Sequence, residues 1–307
     1  DAADILEREP NVTGIMMGEG EETFLEVLKH YAEGRRDFFT IDGVACRNEK
    51  REVVSRPLKK AADMSAIPFP YEDLHDFEHK IVYYESSRGC PFSCSYCLSS
   101  LDKSVRFRNL ELVKRELDFF LEHRVPQVKF VDRTFNCRKS HAMEIWKFIL
   151  EHDNGVTNFH FEISADLLEE EELALLKQMR PGLIQLEIGV QTTNPEAIRE
   201  IRRRMDLEKL ERNVHAVNSF RNIHQHLDLI AGLPYEGYES FRKSFNEVYR
   251  MEPEQLQLGF LKVLKGSYME EMALTYGLCY SSRPPYEVLS TRWLSYRDIL
   301  ELKGVED

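Results

Sequence analysis

Three cysteines fall within eight residues, in the run Gly89-Cys90-Pro91-Phe92-Ser93-Cys94-Ser95-Tyr96-Cys97. One short loop can therefore offer three soft thiolates to iron. A cubane cluster has four irons, and electron-transfer clusters close all of them with four cysteines. Three thiolates leave one iron with open coordination, which is a place for chemistry. The alternative is a structural zinc site, which needs a fourth ligand to close its tetrahedron. The remaining cysteines, Cys46, Cys137 and Cys279, are scattered. That distribution suits metal binding in a reducing compartment better than a disulfide framework, and the scattered three read as small buried hydrophobes.

More chemistry-bearing residues recur at the ends of β-rich runs downstream. They are Asp132 in Phe130-Val131-Asp132-Arg133-Thr134, Glu162 in Phe161-Glu162-Ile163-Ser164, and Gln191 in Glu187-Ile188-Gly189-Val190-Gln191-Thr192. Arg203 lies twelve residues beyond Gln191, and Leu227-Asp228-Leu229-Ile230-Ala231-Gly232-Leu233-Pro234 carries Asp228 and Gly232. A carboxylate accepts from paired hydroxyls, an arginine can grip a carboxylate with two parallel bonds, and a glycine lets backbone approach a ligand closely. Arg202 and Arg204 flank Arg203 and compete with it for that role. Asp228 is expected to face a site, because an unpaired buried carboxylate is costly.

The elements that must position these groups are six strands, at 81–84, 127–131, 158–163, 183–190, 226–230 and 255–263, alternating with amphipathic helices. Leu110, Val113, Leu117 and Leu121 mark the first helix, and Ala142, Ile145, Trp146 and Ile149 the second. A third begins at Asp166 and is closed by Pro181-Gly182. Asn194-Pro195 opens a fourth in the order of cap then proline, and a fifth spans 207–220. The Glu169–Glu172 run reads as a solvated helix start. Six strand–helix units predict an α/β fold, a partial (β/α)6 TIM-like barrel with its site at the strands' C-terminal ends. Every motif above falls at that end.

The cysteine spacing, with an aromatic residue before the last cysteine, resembles the signature of the radical S-adenosylmethionine (SAM) superfamily, and the resemblance runs from about residue 83 to 264. It implies a 4Fe-4S cluster held by Cys90, Cys94 and Cys97, with SAM chelating the open iron and being cleaved reductively to a 5′-deoxyadenosyl radical. It also implies cofactor contacts at Tyr96, Asp132, Glu162, Gln191, Arg203, Asp228 and Gly232: Asp132 or nearby carbonyls at the SAM ammonium, Glu162 at the ribose or methionyl group, Arg203 at the methionine carboxylate, and Gly232 beside the adenine. Where the family often has a glycine-rich segment, Phe130–Asn136 has none. An electron donor such as flavodoxin or ferredoxin is implied as a partner.

The resemblance is greatest to cobalamin-binding-domain radical SAM proteins, on the Gly18-Glu19-Gly20-Glu21-Glu22 turn, Ile67-Pro68-Phe69-Pro70 and the joint pattern of strands four and five. Residues 1–47 then read as the remnant of a Rossmann-like cobalamin domain, 48–80 as a linker, 81–267 as the radical SAM core and 268–307 as a C-terminal extension. The strand expected at 11–17 has nothing before it to pair with, so the chain is expected to begin inside a domain, with cobalamin bound by the full-length protein. The Asp-x-His-x-x-Gly loop of that group is not found here. A cobalamin-linked methyltransferase, a cobalamin-independent oxidase or methylthiotransferase, and a metal-stabilised binding module remain as readings. No second three-cysteine motif supports a methylthiotransferase.

At 307 residues and 42% hydrophobic content, one large domain with a smaller appendage is expected. Forty-one Lys and Arg against 53 Asp and Glu, a formal charge of −12, disfavour nucleic acid and leave a small molecule or peptide as substrate. No apolar run reaches membrane-spanning length, so a soluble, cytoplasmic protein is expected.

Overall fold

The hydrophobic periodicity that alternates between two and three to four residues along most of the chain is realised as strands alternating with helices. The computed structural model describes residues 2–77, 80–100 and 103–306, which fall into two compact units, Asp1–Pro68 and Phe69–Asp307.

The first unit holds α1 (Ala2–Arg8), β1 (Gly14–Met16), α2 (Gly20–Ala32), β2 (Val44–Arg47) and β3 (Val53–Ser55). The strand expected to lack a partner has one. β1 pairs antiparallel with β2, Gly14 opposite Cys46, and β2 pairs antiparallel with β3. Val44–Arg47 is too short to show a readable alternation, and β3 lies in charged sequence that reads as linker. Ile41, Val44 and Cys46 form a small core against Val27, Phe38 and Phe39.

The second unit carries β4 (Val82–Tyr84), a small hairpin of β5 (Ser87–Arg88) and β6 (Arg106–Phe107), α3 (Leu110–Glu122), β7 (Gln127–Phe130), α4 (Lys139–Glu151), β8 (Asn158–Ile163), α5 (Glu170–Leu176) and β9 (Ile184–Gln191). It continues through α6 (Pro195–Glu200), α7 (Leu207–Phe220), β10 (His224–Ala231), α8 (Tyr238–Tyr249) and β11 (Gln255–Phe260). The six long-range strands form one parallel sheet in chain order, β4-β7-β8-β9-β10-β11, with β4 and β11 at its edges. This is the open barrel that the strand–helix alternation implies, and radial packing explains its helices. Asn109 caps α3 by accepting from Glu111 N at 2.9 Å, and Asn194 caps α6 from Glu196 N at 2.9 Å with Pro195 following. Phe130, Phe135, Phe161 and Trp146, all fully buried, pack the outer face of β7 and β8 onto α4, with ring centroids 4.3–5.4 Å apart for consecutive pairs from Phe130 to Trp146. Each such buried side chain contributes about 1.5–3 kcal/mol.

Three details depart from the sequence reading. The third helix starts later, after a 3-10 turn at Ala165–Leu167, and Glu172 in the acidic run is 1% exposed because its carboxylate accepts from Glu169 N at 3.0 Å to cap the helix. Helix α8 was not expected. Its buried face is only Phe241, Ser244 and Val248, too sparse to stand out in a charged sequence. The final segment adds α9 (Tyr268–Glu271), a hairpin of β12 (Cys279–Tyr280) and β13 (Val288–Ser290), and α10 (Tyr296–Glu306). Its Met269, Tyr276, Val288, Leu294, Ile299 and Leu302 join the main core. Among the described residues no helix is long and apolar enough to cross a membrane.

Candidate active site

Strand order brings residues from several strand ends to a common cleft of about 200 Å³. Cys90, Cys94, Tyr96 and Cys97 line one side. Glu162, Glu187, Gly189, Gln191, Arg203 and Asp228 line the other, with Arg133, Thr134 and Ser164 between.

The cysteine loop grows from the β5–β6 hairpin. Gly89 has φ +103°, and a Cβ there would stand 2.1 Å from the Ser104 carbonyl oxygen, so only glycine fits where the loop closes on itself. The hairpin is anchored beneath. Tyr84 OH donates to Glu116 at 2.6 Å, and Arg108 Nε donates to the same carboxylate at 2.8 Å, all three buried. Removing one partner of such a buried ion pair costs about 3–5 kcal/mol. Within the loop, Ser95 N donates to Ile201 O at 2.9 Å, and Ser95 O accepts from Met269 N at 2.9 Å.

Arg203 links the two sides. One guanidinium nitrogen lies 3.8 Å from Cys94 Sγ, and the other donates to Gly189 O. Its Nε is buried without a partner, as is Gln191 Oε1. Gln191 has φ +73° and sits at a β-bulge, where Asp228 pairs with Gly189 and Leu229 with Gln191. Strained non-glycine backbone held at a bulge is the kind of feature that collects at functional sites. Burial pushes the Cys94 thiol up, and Arg203 acts against it. Burial likewise pushes the Tyr96 phenol well above its usual range.

The strand side is a row of charges at alternate positions. Glu162 pairs in register with Glu187, and Glu187 with His226. Glu187 Oε2 accepts from Lys129 Nζ at 2.8 Å and lies 2.8 Å from His160 Nε2. The His160 contact, with Lys129, pulls Glu187 down to about 2. Burial, with Glu187 beside it, pushes Glu162 up to about 7. Asp228 Oδ1 is 3.1 Å from His226 Nε2 but outside hydrogen-bond alignment, so both atoms lack a partner; the neighbouring carboxylate raises the His226 pKa. Lys129, Glu187 and His226 were not singled out from sequence. Alternation back from Asp228 finds His226, and alternation back from Gly189 finds Glu187; no such local signal marks Lys129.

Two expected contacts are not in the cleft. Asp132 is fully buried, and its carboxylate is spent on Ser86 N at 3.0 Å, Ser86 Oγ at 2.7 Å and Ser87 Oγ at 2.5 Å. It ties the hairpin to the end of β7 and has no face toward a ligand. Burial still pushes it up to about 6. His141 Nε2 lies 3.0 Å from Ser86 Oγ, yet this Ser, His and Asp are no nucleophile arrangement, since the hydroxyl donates directly to the carboxylate and all three are buried. Gly232, with φ +96°, is also outside the cleft. A Cβ there would meet Val288 Cγ1 at 2.7 Å, so its small size serves packing of the C-terminal hairpin. Tyr84 and Glu85, also near strand ends, are committed to Glu116 and Arg88 respectively.

The donor set suits an iron–sulfur cluster. A cubane takes each thiolate on its own iron, and one loop here supplies three thiols to the cleft. The orphaned Gln191 Oε1 and Arg203 Nε leave polar capacity for a ligand beside it.

The family model of the radical SAM superfamily matches residues 84–248. The chain belongs to the radical SAM superfamily. That family uses a 4Fe-4S cluster and SAM, and the radical SAM match covers the cysteine loop, β7 to β10 and Arg203. A second model, of a protein of unknown function (DUF4080), matches residues 274–307. The chain is 25% identical over 261 residues, 78% of its own length and 37% of the other's, to 2-(S-pantetheinyl)-carbapenam-3-carboxylate methyltransferase of Streptantibioticus cattleyicolor. Among solved structures it resembles the radical SAM methyltransferase TsrM from Kitasatospora setae with cobalamin and a [4Fe-4S] cluster bound, at TM-score 0.75 and 17% identity over 95% of this chain and 61% of that one. It also resembles the cobalamin-dependent SAM radical enzyme OxsB with aqua-cobalamin and SAM bound, at TM-score 0.74 and 16% identity over 98% and 51%. These structural likenesses establish the radical SAM fold. The chain spans 37–62% of the length of the first curated relatives it matches.

Proposed function

We propose that Cys90, Cys94 and Cys97 hold a 4Fe-4S cluster in this cleft, and that the whole protein is a cobalamin-linked radical SAM methyltransferase acting on a small molecule or peptide. One observation carries the first part: three thiols on one loop share a cleft with Glu162, Gln191 and Asp228 from three strands and with Arg203 from the turn after α6. When bound, the reduced cluster and SAM supply a 5′-deoxyadenosyl radical that abstracts a substrate hydrogen.

The chain's own residues bind and orient. Arg203, already at Cys94 and Gly189 O, presents its remaining donor to a carboxylate. Glu162 accepts from ligand hydroxyls or pairs with an ammonium, which would draw its proton away from a site where burial otherwise keeps it. Gln191 offers an acceptor without a hydrogen-bond partner, Asp228 lines the cleft beside His226, and Tyr96 closes the cysteine side. Cobalamin and a methyl transfer are supported by the relatives' activities and belong to the full-length protein. An electron donor of the flavodoxin or ferredoxin type would dock near the loop.

The test compares the anaerobically reconstituted, dithionite-reduced chain with Cys94→Ala and assays SAM cleavage to 5′-deoxyadenosine. Cleavage by the wild type that the substitution abolishes is expected. Equal cleavage by both would remove the cysteine assignment.

A further inference from the structure

The C-terminal segment is joined to the two pieces of chain that carry Cys94 and Arg203. Ser95, between the second and third cysteines, is 2% exposed, and its carbonyl accepts from Met269 N, at the start of α9, at 2.9 Å. Its own N–H is held by Ile201 O at 2.9 Å, in the turn that leads into Arg203. That turn is gripped from the same C-terminal segment. The Arg202 guanidinium stacks 3.5 Å over the Tyr268 ring, and the buried Tyr276 OH donates to Glu200 at 2.5 Å. Arg202 has φ +56°, a strained conformation that surrounding contacts must maintain.

We infer that residues 268–276 are a brace that positions the cysteine loop and the Arg203 turn relative to each other, so that Met269, Tyr268 and Tyr276 act as positioning residues for the cluster and its SAM ligand. The alternative, that this segment only covers core, does not account for its polar contacts. A segment filling a hydrophobic surface has no need of a backbone donor aimed between two cysteines, or of a phenol and a ring aimed at consecutive parts of the turn before Arg203. The geometry also supplies a reason for precision. Arg203 reaches Cys94 Sγ and Gly189 O together, and a shift of either loop or turn by an ångström breaks one contact. Held by one element, loop and turn keep their separation. The match to a family of unknown function covers residues 274–307, so Tyr276 would give part of that region a task.

The proposal rests on the reading that the three cysteines hold the cluster, and the experiment separates the two. The full chain is reconstituted with iron and sulfide as wild type, Met269→Pro, Met269→Ala and Tyr276→Phe. Iron and sulfide content, the EPR spectrum of the reduced cluster, and the SAM concentration that shifts that spectrum are recorded. Met269→Pro removes the N–H to Ser95 O and the side chain, while Met269→Ala removes the side chain alone, so their difference reads the hydrogen bond. The expected result is SAM affinity at least about tenfold weaker in Met269→Pro than in Met269→Ala, the scale of one buried hydrogen bond, with an altered spectrum. Tyr276→Phe, which loses only a hydroxyl, is expected to weaken SAM binding about threefold and to leave the thermal midpoint nearly unchanged. A wild type that takes up no cluster refutes the cysteine reading. A loaded wild type with Met269→Pro matching Met269→Ala in spectrum and SAM affinity overturns the brace. Should Met269→Pro not fold, Tyr276→Phe decides, and wild-type SAM affinity there overturns it.

Discussion

On one side of the cleft, Cys90, Cys94 and Cys97 sit on a loop, and their positions depend on distant parts of the chain: Ser104 at Gly89, Asp132 at Ser86 and Ser87, and Ile201 and Met269 at Ser95. On the other, Glu162, Glu187, Gln191 and Asp228 stand on adjacent parallel strands, and sheet register alone sets their spacing. Register is local and robust. Tethers are few, and each can be removed singly. The loop side is therefore expected to be lost by single substitutions that leave the strand side folded, and the strand side to respond in graded, electrostatic ways.

The largest effect tests this directly. Gly89→Ala forces a Cβ against the Ser104 carbonyl at a positive φ, and most of the iron should be absent after reconstitution, while circular dichroism stays close to wild type. Full iron loading would break the comparison at its loop end. Next is Arg203→Lys. A single ammonium cannot reach Cys94 Sγ and Gly189 O while offering a further donor, so SAM affinity by equilibrium dialysis is expected to fall about tenfold or more; wild-type affinity would assign the carboxylate to Arg202 or Arg204.

Glu162→Gln probes the strand side through pH. The folded carboxyl keeps its proton to about pH 7, whereas the unfolded one releases it near 4.5. Between those values the folded chain binds more protons, so this group's contribution to stability is full below 4.5 and is lost as pH rises through 7. The wild-type thermal midpoint should fall more from pH 5 to pH 8 than that of Glu162→Gln, and parallel profiles would place the titration elsewhere. The smallest effect is Gly232→Ala. Its Cβ meets Val288, so stability should drop by about 1–3 kcal/mol with no change in SAM affinity. A large affinity loss would restore Gly232 to the adenine pocket.

What was legible in the sequence follows the same division. The six strands and most helices could be read because alternation and caps are local: Asn194-Pro195 marks a helix start that the structure keeps. Glu162, Gln191 and Asp228 reach the cleft because strand ends in a parallel sheet share one face, and Arg203 reaches it from the turn after α6. Asp132 and Gly232 carry the same strand-end signature but lie outside the cleft, since Asp132 meets Ser86 and Ser87 of a hairpin formed across residues 87 and 107 and Gly232 packs against Val288, pairings no local pattern reveals. The partner of β1 and the contact of Met269 with Ser95 were hidden for the same reason.

The most direct test of the central claim is metal and sulfide analysis of the chain purified and reconstituted under anaerobic conditions. About four irons and four acid-labile sulfides per chain, lost in Cys94→Ala, are expected from a cubane on three thiolates. Zinc without labile sulfide would contradict the account and leave a metal-stabilised fold in place of a radical enzyme.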